Sequence, residues 1–325
     1  MTKTPQPPKN KTLPTHTHTT VLGFGALNLD RIYYVDRIVR PDEEGFISST
    51  ENHPGGSAAN TIVGLSRLGT ATGYIGKVAG DESGRILLDD LSSEGVDTTS
   101  VSITNNQNDR SGECLIMVDG RGDRGILVDP GVNDTISTAD VDMNQINSAA
   151  LIHMTSFVCR NSDTSFETQK HVAARTTADI SLDPGTLYAE LGMEALMEFI
   201  SRARVVLPSD HELQLMTGCE DVHEGASMLI DAGAQWVAVK MGADGCYVTN
   251  GSIQKQIPAQ KVVVVDTTGA GDAFNAGFIY GMLQGKTIVT CALMGNITAS
   301  IKITKRGARS GLPHRDQLDA AITGL

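Results

Sequence analysis

Aromatic side chains and positive charge are both scarce in this sequence. Phe, Trp and Tyr together make up 4% of the 325 residues, whereas apolar residues make up 40%, enough for a sizeable core. The formal net charge at pH 7 is −12. Since no surplus of Lys and Arg is available to offset a phosphate backbone, we exclude a general nucleic-acid binder, although a local basic pocket for a small anion is compatible with this charge.

The cysteines lack the spacing of a disulfide framework or a metal site. No CxxC pair occurs, and an odd, dispersed set is typical of reduced thiols in a cytoplasmic protein, where a lone Cys is usually a small buried side chain. We therefore expect a cytoplasmic protein. The five cysteines are Cys114, Cys159, Cys219, Cys246 and Cys291.

Long apolar runs are also missing. No stretch approaches the roughly 18 apolar residues of a membrane span, so no membrane partner is expected. Residues 1–20 contain several Pro, many Thr and almost no apolar side chains, which predicts a disordered tail without the apolar centre of a signal peptide. The pair His16 and His18 in this tail offers too few fixed ligands for a metal site.

Beyond the tail, strand and helix patterns alternate, and residues 21–325 are expected to form one domain. Strand-like segments such as 71–79 alternate with helically spaced segments such as 57–69 and 82–95. The alternation predicts an α/β protein with three αβα layers and a mainly parallel central sheet. Residues 31–51 and 99–129 break the pattern, since they resemble strands joined by polar turns, and predict a small β-sheet that serves as a lid.

Two glycine-containing stretches have incomplete phosphate-binding motifs. The stretch GFGALN begins like GxGxxG, but Asn28 replaces the third glycine and a strand pattern follows it. The GKT at 285–287 follows a helix, and Tyr280 stands where a P-loop needs glycine, so a helix–helix turn explains it better.

A third stretch, TTGAGD at 267–272, has the context of an anion site. The four valines before it predict a buried strand, and a helix is expected from about residue 269. Small residues let backbone N–H groups approach an anion, and the helix adds unpaired N–H groups and the positive end of its dipole. Asp272 lies where those groups converge. Taken alone, Asp272 also fits a structural role as a helix N-cap.

Two motifs together resemble a known family. VDTTGAGDAFNAGFIYGML, from residue 265, closely resembles the C-terminal signature of the ribokinase-like (PfkB) carbohydrate kinases, and HPGGSAANTIVGLSRLG at 53–69 resembles the N-terminal one. Their order and spacing match over roughly residues 20–323. The resemblance implies a ribokinase-like fold and an enzyme that moves the γ-phosphate of ATP to a sugar hydroxyl.

The resemblance implies a role for each residue of the turn. Asp272 would be the general base, and the backbone of Gly269, Ala270 and Gly271 would hold the γ-phosphate. This agrees with the chemistry, because an alcohol is a weak nucleophile at neutral pH and a neighbouring carboxylate can accept its proton. Phosphoryl transfer otherwise needs alignment and positive charge, which Mg²⁺ and the N–H groups supply.

Acceptor and nucleotide residues are also implied. In ALNLD, Asn28 and Asp30 resemble ligands for sugar hydroxyls, since an amide and a carboxylate suit a polyol. The PGGSAAN loop would add Gly55, Gly56 and Asn60 to the acceptor site. The implied nucleotide-binding residues are Ser209, Lys240, Gly242, Gly245 and Asn296.

The implied metal sites include one departure from the family pattern. Glu212 would hold Mg²⁺ through water, but Ser209 stands where the family usually has the Asn of Asn-x-x-Glu. A monovalent cation, K⁺, would brace the anion-binding turn. The residues that match its site are Asp266, Thr268, Gly307 and Ser310.

The sequence leaves the acceptor open among a hexose, a pentose, a sugar phosphate and a nucleoside. In a nucleoside kinase, lid residues such as Tyr33, Tyr34, Phe46 and Met117 would pack against a purine, although packing within the sheet is their more common role. An inactive ligand-binding relative is a third interpretation, opposed by the intact GAGD turn. The family resemblance also implies a homodimer formed through the lid.

Overall fold

The computed structural model describes residues 20–160 and 162–323. Its strands are β1 (Val21–Phe24), β2 (Asn28–Val35), β3 (Ile47–Gly55), β4 (Thr72–Ala79), β5 (Val101–Thr104), β6 (Gly112–Val118), β7 (Arg124–Asp129), β8 (Leu151–Thr155), β9 (Asp179–Asp183), β10 (Ala203–Val206), β11 (Trp236–Lys240), β12 (Cys246–Thr249) and β13 (Gln254–Ile257). Its α-helices are α1 (Ser57–Arg67), α2 (Glu82–Ser93), α3 (Met143–Ser148), α4 (Thr164–Arg175), α5 (Gly185–Ala189), α6 (Gly192–Ala195), α7 (Met197–Ile200), α8 (Asp210–Thr217), α9 (Val222–Asp231), α10 (Ala270–Leu283), α11 (Ile288–Lys302) and α12 (Arg315–Thr323).

A nine-stranded sheet forms the middle layer, in the order β13-β12-β11-β10-β9-β8-β1-β4-β5. Every pair from β5 to β11 is parallel, and β12 and β13 add an antiparallel edge. Neighbouring residues of β1 face opposite sides: Val21 belongs to the core that includes α10 and α11, and Leu22 to the core that includes α4 and α9. Burial on both faces confirms the predicted three-layer α/β architecture.

The second sheet has four strands in the order β3-β2-β6-β7, and we call it the small sheet. Strand β2 is parallel to β6, while the β2–β3 and β6–β7 pairs are antiparallel. The expectation that all of 99–129 belongs to the lid is wrong for β5, which pairs with β4 in the large sheet. The reason is the helix between them: β4, α2 and β5 form a parallel crossover unit of the main alternation.

The valine run at 262–265 corrects another expectation, because it is not a buried strand. These residues have no regular structure, and Val263 is 83% exposed. The amides of Val265 and Asp266 both donate to the carbonyl of Ile303, at the end of α11, instead of to a neighbouring strand. The valines therefore form no strand despite their propensity, because a tertiary contact determines the conformation of this segment.

Smaller differences concern helices. The helix expected over 188–201 is divided into α5, α6 and α7, and Gly192 at the break has φ +80°. In the part of the chain that the structure describes, no helix is long and apolar enough to cross a membrane. The tail predicted for residues 1–20, with His16 and His18, lies outside the described residues apart from Thr20.

Candidate active site

Polar side chains converge where the parallel strands of the large sheet end. Asp183 is the last residue of β9, Lys240 is the last residue of β11, and the chain leaves β1 just before Asn28. In open α/β sheets, ligands bind in a crevice at the carboxyl ends of the strands. The fold therefore places the motif residues at the expected edge.

The Asp272 carboxylate is held by two donors from helix α1. Ser57 Oγ donates to Asp272 Oδ1 at 2.6 Å, and Asn60 Nδ2 donates to Oδ2 at 2.8 Å. Gly269 is the N-cap of α10, and no side-chain hydrogen bond caps this helix. Asp272 is therefore no cap, and the structural alternative that its sequence position left open does not apply.

The environment of Asp272 brings its pKa close to neutral pH. Burial raises the pKa of Asp272 to about 6, the hydrogen bonds from Ser57 and Asn60 lower it, the nearby Asp183 charge raises it and Lys240 lowers it. At pH 7 the carboxylate is mostly ionised. Because its pKa lies close to the working pH, it can both accept a proton and release it again.

The turn before α10 offers backbone N–H groups, although not all of those expected. Gly269 has φ +75°, and a Cβ there would lie 2.9 Å from the carbonyl oxygen of Ala308, so glycine is required. The N–H of Ala270 donates to the carbonyl of Thr267. Among the described residues, the N–H groups of Gly271 and Asp272 have no acceptor, so these two amides, and not that of Ala270, are free to meet an anion.

Lys240 adds positive charge beside this turn. Its Nζ donates to Asp183 Oδ2 at 2.7 Å and lies 3.5 Å from where a Cβ on Gly271 would be. Burial alone would lower the pKa of Lys240, but the Asp183 carboxylate, with the charges of Glu212 and Asp272, holds it above the ordinary value. The lysine is therefore a fixed cation at the position where phosphate charge would be bound.

The proposed acceptor residues lie side by side at the start of the small sheet. Asn28 pairs with Gly55 in the β2–β3 ladder, and Asn28 Oδ1 accepts from Asn133 Nδ2 at 2.9 Å. A Cβ on Gly55 would lie 2.6 Å from Asp30 Oδ2, so only glycine leaves room for this carboxylate. Burial raises the pKa of Asp30, against a hydrogen bond from Cys114 that lowers it.

Gly56 and Asn60 serve the same loop differently. Gly56 has φ +103°, and a Cβ on it would clash with the carbonyl of Ala26, so the turn into α1 requires glycine. Asn60 was expected to bind the acceptor. Its Nδ2 donates to Asp272 Oδ2 and its Oδ1 accepts from Arg309 Nε at 2.8 Å, so the amide orients the Asp272 carboxylate.

Arg309 is a site residue that the sequence did not indicate. Only 8% of it is exposed; it pairs with Asp90 and donates from Nη2 to the carbonyl of Gly55 at 3.2 Å. One guanidinium thus contacts both the Gly55 loop and, through Asn60, the Asp272 carboxylate. Arg309 lies in the segment KRGARSG at 305–311, between Gly307 and Ser310, but nothing local distinguishes this arginine from a surface one.

Ser209, which stands where the family usually has Asn, has a local structural role. Ser209 is the N-cap of α8: its Oγ accepts from the Glu212 amide at 3.2 Å, and Glu212 Oε2 accepts from the Ser209 amide at 2.7 Å. This capping box fits the sequence pattern Ser-x-x-Glu. The two residues lie beside Lys240, with which Ser209 forms an isolated β-bridge.

The expected nucleotide residues near β12 mainly shape the backbone. Gly242 and Gly245 have φ +54° and +86°, and a Cβ on Gly245 would lie 2.0 Å from the carbonyl oxygen of Ile257. Asn296 Nδ2 donates to the carbonyls of Ile257 and Pro258 at 3.0 and 3.1 Å. These residues therefore hold the 242–245 turn and the 257–258 segment together, and we call the two segments the loop unit.

The residues expected around a monovalent cation are largely occupied by one another. Asp266 Oδ1 accepts from the amide of Thr268 at 2.9 Å, and Oδ2 accepts from the amide of Gly307 at 2.8 Å. Ser310 is exposed, and the buried Lys302 directs its Nζ to the carbonyl of Asp266 at 3.0 Å. The Lys302 ammonium therefore already occupies the main-chain carbonyl of Asp266, a residue that the family resemblance assigns to K⁺, so these residues do not fit a free cation.

Comparison with known proteins agrees with this geometry. Residues 18–315 match the model of the pfkB family carbohydrate kinases. An uncharacterized sugar kinase of Archaeoglobus fulgidus is 45% identical over 251 residues, which cover 77% of this chain and 98% of that protein. An ATP-dependent ribose-1-phosphate kinase of Halopiger xanaduensis is 32% identical over 303 residues, which cover 93% and 98%.

The fold is likewise shared with solved structures. A ribokinase from Thermotoga maritima superposes with a TM-score of 0.84 at 24% identity, over 94% of this chain and 99% of that one. This confirms the ribokinase-like fold that the two motifs implied. With the family match over residues 18–315, the chain belongs to the pfkB family of carbohydrate kinases.

Proposed function

We propose that this protein transfers the γ-phosphate of ATP to a hydroxyl group of a sugar, with Asp272 as the general base. The observation that carries the proposal is the position of the Asp272 carboxylate. Ser57 and Asn60 hold it at the first turn of α10, beside the free N–H groups of that turn. Arg309 links the same unit to Gly55 and hence to Asp30.

The residues divide the chemistry between them. The acceptor hydroxyl, oriented by Asn28 and Asp30, attacks the γ-phosphorus while its proton passes to Asp272 and the bond to ADP breaks. Charge on the transferring oxygens faces the N–H groups of Gly271 and Asp272, the positive end of α10 and the Lys240 ammonium. In the site, Mg²⁺ would neutralise the phosphate oxygens, and Glu212 would hold one of its waters.

The nucleotide is proposed to lie along the loop unit on the β12 side. Gly242 and Gly245 leave backbone without side chains at this edge, and Asn296 fixes the 257–258 carbonyls behind it. Ser209 lies beside Lys240, whose Nζ is close to Gly271 in the turn. The phosphate chain would then point from the loop unit toward Gly271.

The small sheet is proposed to close over the acceptor and exclude water, since water is a competing phosphate acceptor. Asp30 lies on its inner face. Arg124 of β7 reaches the turn, with Nη1 3.5 Å from Thr268 Oγ1. This contact joins the small sheet to the anion-binding segment, as a closing element would require.

The small sheet leaves fewer side chains for a purine than the sequence offered, and we keep a sugar as the proposed acceptor. Along β2, side chains alternate between faces, so Tyr33 lies on the face opposite Asp30. Tyr33 and its cross-strand partner Met117 line a hollow of about 320 Å³ on that outer face. Two of the four side chains considered for a purine therefore face away from the acceptor, whereas Tyr34 shares the face of Asp30.

The outer hollow also supports a homodimer through the small sheet. It is lined by Val35, Ile47, Leu115 and Leu127, and Phe46 beside it is 70% exposed. Exposed apolar patches of this kind commonly mark protein interfaces. A dimeric mass by sedimentation equilibrium would support the interface, and a monomer at assay concentration would contradict it.

We place the enzyme in the cytoplasm, in agreement with its five free cysteines.

A panel of acceptors tests the proposal. Hexoses, pentoses, sugar phosphates and nucleosides are each incubated with MgATP, ADP release is measured, and the product is identified by mass. A sugar or sugar phosphate is expected to raise ADP release well above the acceptor-free rate. Activity with nucleosides alone would favour the nucleoside-kinase alternative. No acceptor-dependent ADP at high protein concentration would favour an inactive binding protein.

A further inference from the structure

Lys302 is a buried cation that the phosphotransfer steps above do not use. It is the last residue of α11, its side chain is 0% exposed, and its Nζ donates to the carbonyl oxygen of Asp266 at 3.0 Å. Lysine is rarely buried completely unless a partner meets its charge. Its location beneath the anion-binding turn therefore requires an explanation.

The ammonium group lies inside a compact unit that sets the position of the turn. Asp266 bonds the amides of Thr268 and Gly307 through its two carboxylate oxygens. Gly269 packs on the backbone of Ala308, where a Cβ would be 2.9 Å from its carbonyl oxygen. The segment that ends α11, the 307–311 loop and the phosphate-binding turn are thus in direct contact.

The loop also packs against the backbone of Lys302 itself. A Cβ on Gly311 would lie 2.2 Å from the Lys302 carbonyl oxygen. The carbonyl that accepts from Lys302 Nζ belongs to Asp266, which leads directly into the turn. The ammonium group therefore supports the turn and not only the core.

We propose that the Lys302 ammonium is a tethered replacement for the monovalent cation, so that this kinase works without K⁺. A K⁺ ion placed among Asp266, Thr268, Gly307 and Ser310 would meet a like charge beside the Asp266 carbonyl. The ammonium group already donates to that carbonyl from a covalent stem. This inference rests on the proposed function, because it concerns the turn assigned to phosphate binding.

The test compares salts of equal ionic strength in K⁺-free buffer. For the wild-type protein we expect the same rate, within about twofold, and the same melting temperature in KCl, NH₄Cl and choline chloride. Lys302→Ala opens the space for an ion, and its rate in choline chloride should fall about 100-fold, as when a preorganised donor to a transition state is lost. KCl or NH₄Cl should restore much of that rate and raise the melting temperature.

Two further variants separate charge from packing. Lys302→Met keeps the buried stem without the charge, so its rate should fall and KCl should not restore it. Lys305→Ala removes an exposed lysine three residues later and should behave like the wild type. If Lys302→Ala does not fold, the wild-type salt comparison and Lys302→Met still decide the question.

Several results would overturn the proposal. One is that KCl strongly activates or stabilises the wild-type protein relative to choline chloride. Another is that a folded Lys302→Ala variant keeps full activity in choline chloride. A Lys302→Met variant as active as the wild type would do the same. Failure of every acceptor to release ADP would instead contradict the proposed function, and the melting temperatures in the three salts would still judge the cation proposal.

Discussion

The pH dependence of the reaction should reveal how Ser57 tunes the base. With Asp272 at a pKa of about 6, the rate with limiting acceptor and saturating MgATP should fall tenfold per pH unit below pH 6, because the protonated carboxyl cannot accept a proton. Ser57→Ala removes the hydrogen bond that Oδ1 accepts at 2.6 Å. Since this bond stabilises the ionised form, its loss should raise the pKa.

The size of the shift follows from the energy of such a bond. A hydrogen bond to a charged group contributes about 1.5–3 kcal/mol, and one pKa unit corresponds to about 1.4 kcal/mol. Ser57 is exposed, so water replaces part of the lost bond and we take the lower end. The acid limb should move from about pH 6 to about pH 7, which makes the variant about fivefold slower at pH 6 and equal at pH 9.

A matched variant controls for general disturbance of helix α1. Thr61 Oγ1 donates to the backbone carbonyl of Asp272 at 3.3 Å and leaves the carboxylate untouched. Thr61→Val should therefore leave the acid limb in place. The reasoning is refuted if Ser57→Ala leaves the limb unmoved or shifts it to lower pH, or if Thr61→Val shifts it as far.

Three further substitutions test the surrounding structure. Gly269→Ala forces a side chain into φ +75° against Ala308, which should cost about 1–2 kcal/mol of stability. MgATP binding, measured by calorimetry, should also weaken, and unchanged binding would contradict the role of the turn. Arg309→Gln should lower kcat with little change in KM for MgATP. It should also cost about 1–3 kcal/mol of stability, because the partly buried Asp90 loses its partner. A lowered melting temperature with unchanged kcat would leave the arginine purely structural. Asp30→Ala should raise KM for the acceptor and not for MgATP, so equal loss of both would remove it from the acceptor site.

The parts predicted correctly from the sequence were those with local causes. The alternation of strands and helices is set by residue spacing, and it gave the layers and the parallel sheet. The glycines of the 267–272 turn and the acid after them are likewise adjacent in the chain. Ser209 was interpreted only as a replacement for the usual Asn in nucleotide binding, although the Ser-x-x-Glu spacing with Glu212 is a capping-box signal that the sequence contained.

The parts that were missed depend on contacts between distant segments. Arg309 lies 249 positions from Asn60, and nothing local in KRGARSG shows that it is buried. Lys302 falls at the end of an ordinary helix, so its burial appears only in the fold. The four valines at 262–265 have high strand propensity. No strand forms there, because the amides of Val265 and Asp266 donate to the Ile303 carbonyl.

Replacement of Asp272 by asparagine tests the central claim most directly. Asp272→Asn keeps the shape and loses the base, so acceptor-dependent ADP release should fall by about 10²–10⁴-fold at pH 8, the usual contribution of general base catalysis. MgATP affinity and melting temperature should stay close to those of the wild type. A folded variant that phosphorylates the acceptor at the wild-type rate would contradict the account.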